Sequence, residues 1–190
     1  GWGKYYNTRV SEVYRFNIPP DQSILDIGTG TGNLLSFLDP EKGVGVDFSG
    51  KMIELAKELH PNFDFIQMDA VEFKLKENFD SVVMSDTVND LWDVQSALEN
   101  ISKVLKNDGR LIINFYNRLW ELPLKIAEIL HLAKPNLVQN WLTVKDAENL
   151  LDLAGFEVIK LMQQVLFPFS IPIITPFLNK FLVRFWPFKH

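Results

Sequence analysis

Ile24-Leu25-Asp26-Ile27-Gly28-Thr29-Gly30-Thr31-Gly32-Asn33 is the stretch that decides how this chain folds. An apolar strand runs into three alternating glycines and then into a helix. Glycines at a strand end let a ligand approach the main chain, and the following helix aims free N–H groups at it. A second short strand, Val44-Gly45-Val46-Asp47, ends in a carboxylate. Two strand ends of this kind are shaped to hold a nucleoside between them, and so point to a cofactor enzyme.

Composition limits the alternatives. The chain has 190 residues, 47% of them hydrophobic, which suits one domain with a sizeable core. It has no cysteine, which excludes disulfides, a thiol nucleophile and a cysteine metal site, and fits a reducing cytoplasm. Net charge is −5, unevenly spread: residues 1–95 carry 8 basic and 16 acidic side chains, and residues 96–190 carry 11 and 8. An acidic first half speaks against nucleic acid as a partner, because phosphate binding needs basic patches, and it tolerates a cationic ligand. The chain opens on Gly1 with no Met and no signal-peptide pattern, so a trimmed chain is expected.

Strand and helix signals alternate, which predicts a doubly wound, mostly parallel α/β sheet with helices on both faces. Residues 1–18 read as a leading helix rich in aromatics. Residues 20–115 form the ligand-binding core, with strands at 23–28, 43–48, 63–67, 80–85 and 110–115. Helices are expected at 32–38, 49–59 and 93–105, with Ser49 as an N-cap, His60-Pro61 as a stop and Asn107-Asp108-Gly109 as a turn. Residues 116–142 read as a helical insertion or lid. Residues 143–164 hold a helix, capped by Thr143 and ended by Gly155, and a sixth strand from Phe156 to Met162. Residues 165–190 are an apolar tail broken by Pro168, Pro172, Pro176 and Pro187. The whole is expected to be a single domain.

The glycine spacing is G-x-G-x-G. A dinucleotide fingerprint places its third glycine one residue later, where Asn33 stands. On its own the loop also fits a tight strand–helix turn with no ligand. Asp47 adds weight, because a carboxylate at the end of strand two can accept both ribose hydroxyls, although it can also serve a helix N-terminus. Asp69, in Gln67-Met68-Asp69-Ala70, can accept an adenine amino group while the Ala70 N–H donates to the ring, or it can be a solvated turn residue. Three strands ending this way in order are hard to explain as turns.

At this point the chain resembles the class I S-adenosylmethionine-dependent methyltransferases. The resemblance is carried by Leu25 to Gly32, Gly45-Val46-Asp47-Phe48-Ser49, Met68-Asp69-Ala70, Phe79 to Ser85, and Val104 to Leu111, where Asn107-Asp108 replaces a commoner Pro-Gly. It covers about residues 20–162. A narrower likeness, to bacterial methyltransferases found near glycosyltransferases of cell-surface or lipid-linked sugar pathways, rests on Tyr116-Asn117-Arg118-Leu119-Trp120 and Gln139-Asn140-Trp141-Leu142.

The resemblance implies S-adenosylmethionine as methyl donor and S-adenosylhomocysteine as product. Gly28, Thr29 and Gly30 would pass close to the methionine part, with Asp26 ordering the loop. Asp47 would hold the ribose, Phe48 and Met52 would flank the adenine, and Asp69 and Ala70 would read its edge. Ser85 would sit near the sulfonium, and Tyr5 would close over the cofactor from the leading helix. Asp86 and Tyr116 are the candidate catalytic groups, needed only if the acceptor must lose a proton. Asp90 and Asp93 read better as helix caps, and His131 as packing. The three histidines are too scattered for a metal site.

The expected function is in-line methyl transfer to a small-molecule or lipid-linked acceptor in the cytoplasm. The rival readings are a non-catalytic S-adenosylmethionine-binding module and a nicotinamide-dependent oxidoreductase, the latter disfavoured by the early third glycine and by Asp69. In the tail, residues 177–186 place Phe177, Leu178, Phe181, Leu182, Phe185 and Trp186 on one helical stripe. That stripe predicts packing within the fold, a homodimer contact, or peripheral binding to a membrane. The family's final antiparallel strand is expected to be missing.

Overall fold

The computed structural model describes residues 2–72, 74–116 and 140–162, with residues 118, 121, 125 and 129 between them. The predicted tail stripe and the final strand lie outside the described residues, as does His131.

Two units divide the chain, Pro19–Glu157 and Gly1–Ile18 with Val158–His190. The first carries the sheet. Its strands are β1 (Ser23–Ile27), β2 (Lys42–Asp47), β3 (Asp64–Gln67), β4 (Phe79–Ser85) and β5 (Leu105–Asn114). They lie in the order β3-β2-β1-β4-β5, and every pairing is parallel. The chain runs outward from β1 to β3, then crosses back to β4 on the other side of β1. That reversal opens a crevice beyond the carboxyl ends of β1 and β4, the place where open α/β sheets bind ligands.

Both sheet faces are covered, which is why the strands read as continuous apolar runs. Leu25, Ile27, Val44, Val46, Val82 and Met84 join one core with Ala97, Leu98, Ile101 and Val104 of α4 (Val94–Val104). The alternate positions Ile24, Asp26 and Val83 are buried on the opposite face. α2 (Asn33–Leu38) and α3 (Gly50–Leu59) connect β1 to β2 and β2 to β3, burying Leu35, Ile53 and Ala56. α5 (Val144–Leu153) starts with the predicted cap: the Asp146 N–H donates to Thr143 Oγ1, and the Thr143 N–H returns a bond to the Asp146 carboxylate. Gly155 ends it at φ +84°, a conformation costly for a residue with a Cβ.

Three expectations need correction. β5 begins at Leu105, directly after α4, and pairs Phe79 with Leu105 before Ser81 meets Arg110. The Asn107-Asp108-Gly109 signal is therefore a bulge inside the strand rather than a turn before it. Ser49 stands at the N-cap of α3 but makes no capping bond with its side chain. Residues 156–162 join no sheet: the Phe156 N–H turns back to Leu151 O, and Val158, Ile159 and Leu161 are exposed.

The second unit contains α1 (Trp2–Asn17). Lys160 reaches it, donating to Asn17 Oδ1 at 3.0 Å and lying 5.2 Å from the Phe16 ring centroid. No described helix is long and apolar enough to cross a membrane.

Candidate functional site

The glycine motif forms a loop hung from β2. The Gly28 and Thr29 N–H groups both donate to Val46 O, at 2.8 and 3.0 Å. Thr29 Oγ1 donates to Asp26 Oδ2 at 2.8 Å, so the last acidic residue of β1 holds the loop from beneath. Asp47 holds it from the side. Its Oδ2 accepts from the Gly30 N–H at 2.9 Å and its Oδ1 from the Ser49 N–H at 2.9 Å. One carboxylate thus ties the loop to the start of α3.

Two of the glycines are required for different reasons. Gly28 has φ +73°, and a Cβ there would sit 2.2 Å from Thr87 Oγ1. Gly30 has φ +54°, but a Cβ there would meet nothing within 4 Å. The first glycine makes room for protein and the second leaves open space beside Asp26 and Asp47.

The other candidate residues lie beyond the ends of β2 and β3. Phe48 is 71% exposed and Met52 42%, two large apolar side chains left uncovered where β2 meets α3. Beyond β3, Ala70 is buried and Asp69 is exposed, with Asp69 Oδ1 accepting from the Val71 N–H at 2.9 Å. Asp69 therefore does shape a turn, as one of its two readings expected. The described donors to Asp26, Asp47 and Asp69 are hydroxyls and backbone N–H groups, and none is a cation. Burial pushes the Asp26 carboxyl up to about 7. The Thr29 hydroxyl opposes the rise and the neighbouring Asp47 charge adds to it. Carboxylates held by dipoles alone leave their charge for a cationic ligand. The residues present therefore fit S-adenosylmethionine, whose sulfonium and amino groups are positive.

β4 delivers the other wall. Ser85 closes the strand, and Asp86 follows in the left-handed region at φ +58°, with Asn114 Nδ2 donating to its Oδ1. Left-handed backbone is uncommon outside glycine, although Asp tolerates it, and such residues cluster at functional sites. Thr87 Oγ1 lies 3.0 Å from Ile27 O and 3.1 Å from Ser85 O, pinning this turn against the glycine loop. Tyr116 lies two residues beyond β5, half-buried. Asp93 caps α4, accepting from the Ser96 N–H at 3.0 Å, as expected.

The structure thus joins Asp26, Gly28, Thr29, Gly30 and Asp47 in one bonded network. It sets Phe48, Met52, Asp69, Ala70, Ser85 and Asp86 along the same carboxyl edge. Tyr5 belongs to α1, in the other unit, where it is half-buried. Sequence reasoning missed Thr87, Asn89 and Asn114. Thr87 and Asn89 sit in a stretch with neither strand nor helix periodicity, and Asn114 was absorbed into the strand pattern.

Known proteins resemble the chain as follows. A methyltransferase domain model matches residues 18–164. The ubiquinone/menaquinone biosynthesis C-methyltransferase of Campylobacter jejuni is 32% identical over 122 residues, which are 59% of this chain and 51% of that protein. Among solved structures, an S-adenosylmethionine-dependent methyltransferase of Thermotoga maritima superposes with a TM-score of 0.69 at 22% identity, covering 83% of this chain and 73% of that one. An amino pentose methyltransferase of Micromonospora echinaspora, solved with S-adenosylmethionine bound, gives a TM-score of 0.52 at 24% identity, covering 61% and 51%. Structural likeness at these identities establishes the fold alone. The chain spans about half the length of the curated relatives it matches.

Proposed function

The chain belongs to the class I S-adenosylmethionine-dependent methyltransferases, and on that premise we propose that it transfers a methyl group to a small-molecule or lipid-linked acceptor by in-line displacement. The observation that carries the reading is the glycine loop itself, open at Gly30 and held by Asp26 and Asp47, two carboxylates whose described partners are all neutral. When bound, S-adenosylmethionine supplies an already activated methyl on a sulfonium. An acceptor lone pair forms the new bond to carbon as the carbon–sulfur bond breaks, and its electron pair stays on sulfur as a thioether.

The protein's share of the work is placement. Asp47 uses one lone pair on each oxygen for the loop and for Ser49, which leaves the others for ribose hydroxyls. Phe48 and Met52 would offer apolar contact to the adenine, and Asp69 with Ala70 would read its edge. Asp26 lies under the loop, and a bound cation would favour its ionised form. Ser85 and Asp86 would stand on the side of the reacting methyl, with Asn114 fixing the Asp86 carboxylate. Aligning acceptor and methyl in this way removes up to about 7–11 kcal/mol of barrier. Asp86 takes the acceptor's proton only when the nucleophile carries one. Tyr116 stands as the second candidate for that role.

Two of the similar proteins suggest acceptors to try, a precursor of ubiquinone or menaquinone and an amino sugar. Methyl transfer from labelled S-adenosylmethionine is measured to each, and to a small-molecule and lipid extract. The reading expects label in at least one acceptor, abolished by Asp86→Ala if the acceptor loses a proton. Binding of S-adenosylhomocysteine without transfer to any of them would favour a non-catalytic binding module instead.

A further inference from the structure

Two motifs of the sequence, around Tyr116 and around Asn140, find no role in the cofactor site. They meet each other at Asn89. This side chain sits in a single 3-10 turn, Val88–Asp90, after β4, and it is 0% exposed. Its Oδ1 accepts from the Tyr116 N–H at 2.9 Å. Its Nδ2 donates to Tyr116 O at 3.1 Å and to Asn140 O at 2.8 Å. Its own carbonyl accepts from the Asn140 N–H at 2.7 Å. Asn140 Nδ2 in turn donates to Leu91 O, and the Arg118 N–H donates to Leu142 O at 3.1 Å.

The side-chain amide of Asn89 therefore acts as a peptide group. It makes to Tyr116 the paired N–H and C=O bonds that a neighbouring strand would make, at the point where β4 has already turned away. Both of its N–H protons are used, by two different chain segments. Few other side chains can do this. Aspartate would set an oxygen against two carbonyls, leucine would leave three backbone groups without this partner, and glutamine is one methylene too long. What the amide fixes is the acceptor side of the site. Asn114, two residues before Tyr116, holds Asp86, and Asn89 follows Asp86 by three residues. The exits of β4 and β5 are thus tied twice, once at the candidate reacting group and once at the buried amide.

We infer that Asn89 is a positioning residue for the methyl acceptor, locking the chain leaving β5 at Tyr116 and the chain returning at Asn140 into one arrangement beside Asp86. This inference rests on the proposed methyl transfer, since it assigns the acceptor wall of that site. Apart from Ser85 at the end of β4, the proposed cofactor contacts come instead from the ends of β1, β2 and β3, and no hydrogen bond of the Asn89 side chain goes to any of them.

The test compares wild type with Asn89→Asp and Asn140→Ala in the full chain. Calorimetry with S-adenosylhomocysteine reports the cofactor side, and steady-state methyl transfer to the acceptors named above reports the other. Both variants should keep S-adenosylhomocysteine affinity and the KM for S-adenosylmethionine within about twofold. The kcat/KM for acceptor should fall at least about tenfold in Asn89→Asp and about threefold in Asn140→Ala, as expected for displaced reacting groups. A parallel loss of cofactor affinity and transfer would show a merely structural residue and overturn the inference, as would undiminished transfer. If Asn89→Asp does not fold, Asn140→Ala decides by the same split. Wild type that binds S-adenosylhomocysteine but labels no acceptor would sink the methyl-transfer reading and this inference with it. A failure confined to the variants would sink the inference alone.

Discussion

The two edges of the sheet use aspartate in opposite ways. At the amino edge, Asp80 accepts from the Ser23 N–H at 2.9 Å, from Ser23 Oγ at 2.6 Å and from Lys106 Nζ at 2.7 Å. Lys106, with Ser23 behind it, holds the Asp80 carboxyl well below the usual carboxylate range. Lys42 and Glu77 pair on the same edge. At the carboxyl edge, Asp26, Asp47 and Asp69 accept from hydroxyls and backbone N–H groups only, among the described residues. Asp80, which ties β1, β4 and β5 together, has its own cation. Carboxylates that face a ligand are held by dipoles, and their charge stays available to a cation that arrives with it.

The largest expected effect separates protein space from ligand space within the carboxyl edge. Gly28→Ala puts a Cβ into Thr87 at positive φ and should cost about 3 kcal/mol in thermal unfolding. Gly30→Ala meets open space and should cost only about 1 kcal/mol, the ordinary left-handed penalty. It should still lose S-adenosylhomocysteine. Equal destabilisation by the two substitutions would mean that the space at Gly30 is filled by protein.

Next in size is the amino edge. Asp80→Ala removes three hydrogen bonds, one of them to a cation, and should lower stability by about 2 kcal/mol in urea denaturation. S-adenosylhomocysteine affinity should not change. A loss of affinity there would break the distinction between the edges.

The last effect is a slope with pH, small at any one pH step. The folded Asp26 carboxyl titrates near 7 and its ordinary value is 3.8, so between those pH values the native state binds a proton that the unfolded chain has released. Stability should therefore fall as pH rises through that window, by on the order of 1 kcal/mol per pH unit. Asp26→Asn keeps an acceptor for Thr29 and has no charge to bury, so its slope should be flatter. A slope identical to that of wild type would remove the buried, uncompensated carboxylate from the account.

The placement of the candidate cofactor residues at the carboxyl ends of the strands was legible because each group is written in a few consecutive residues: Asp26 to Gly32, Asp47-Phe48, and Asp69-Ala70. The parallel sheet was legible in strands such as Ser81 to Ser85, apolar on both faces. The misreadings arose where tertiary pairing overrode a local signal. Asn107-Asp108-Gly109 has turn chemistry, but Phe79 already pairs with Leu105, so the extra residues bulge within a strand. Phe156 to Met162 has strand composition, but Phe156 bonds back to α5 and Lys160 is drawn to Asn17, so no ladder forms. Asn89 was illegible for another reason. A single Asn in an aperiodic turn looks the same whether it faces water or holds two distant segments. Its partners, Tyr116 and Asn140, lie 27 and 51 residues away.

Calorimetry with S-adenosylhomocysteine on wild type, Asp80→Ala and Asp47→Ala tests the contrast between the edges most directly. We expect wild type and Asp80→Ala to bind alike, and Asp47→Ala to lose at least about tenfold in affinity, as for removal of a charge-assisted hydrogen-bonding group. No binding by wild type, or unchanged binding by Asp47→Ala, would contradict the assignment of the carboxyl edge to the cofactor.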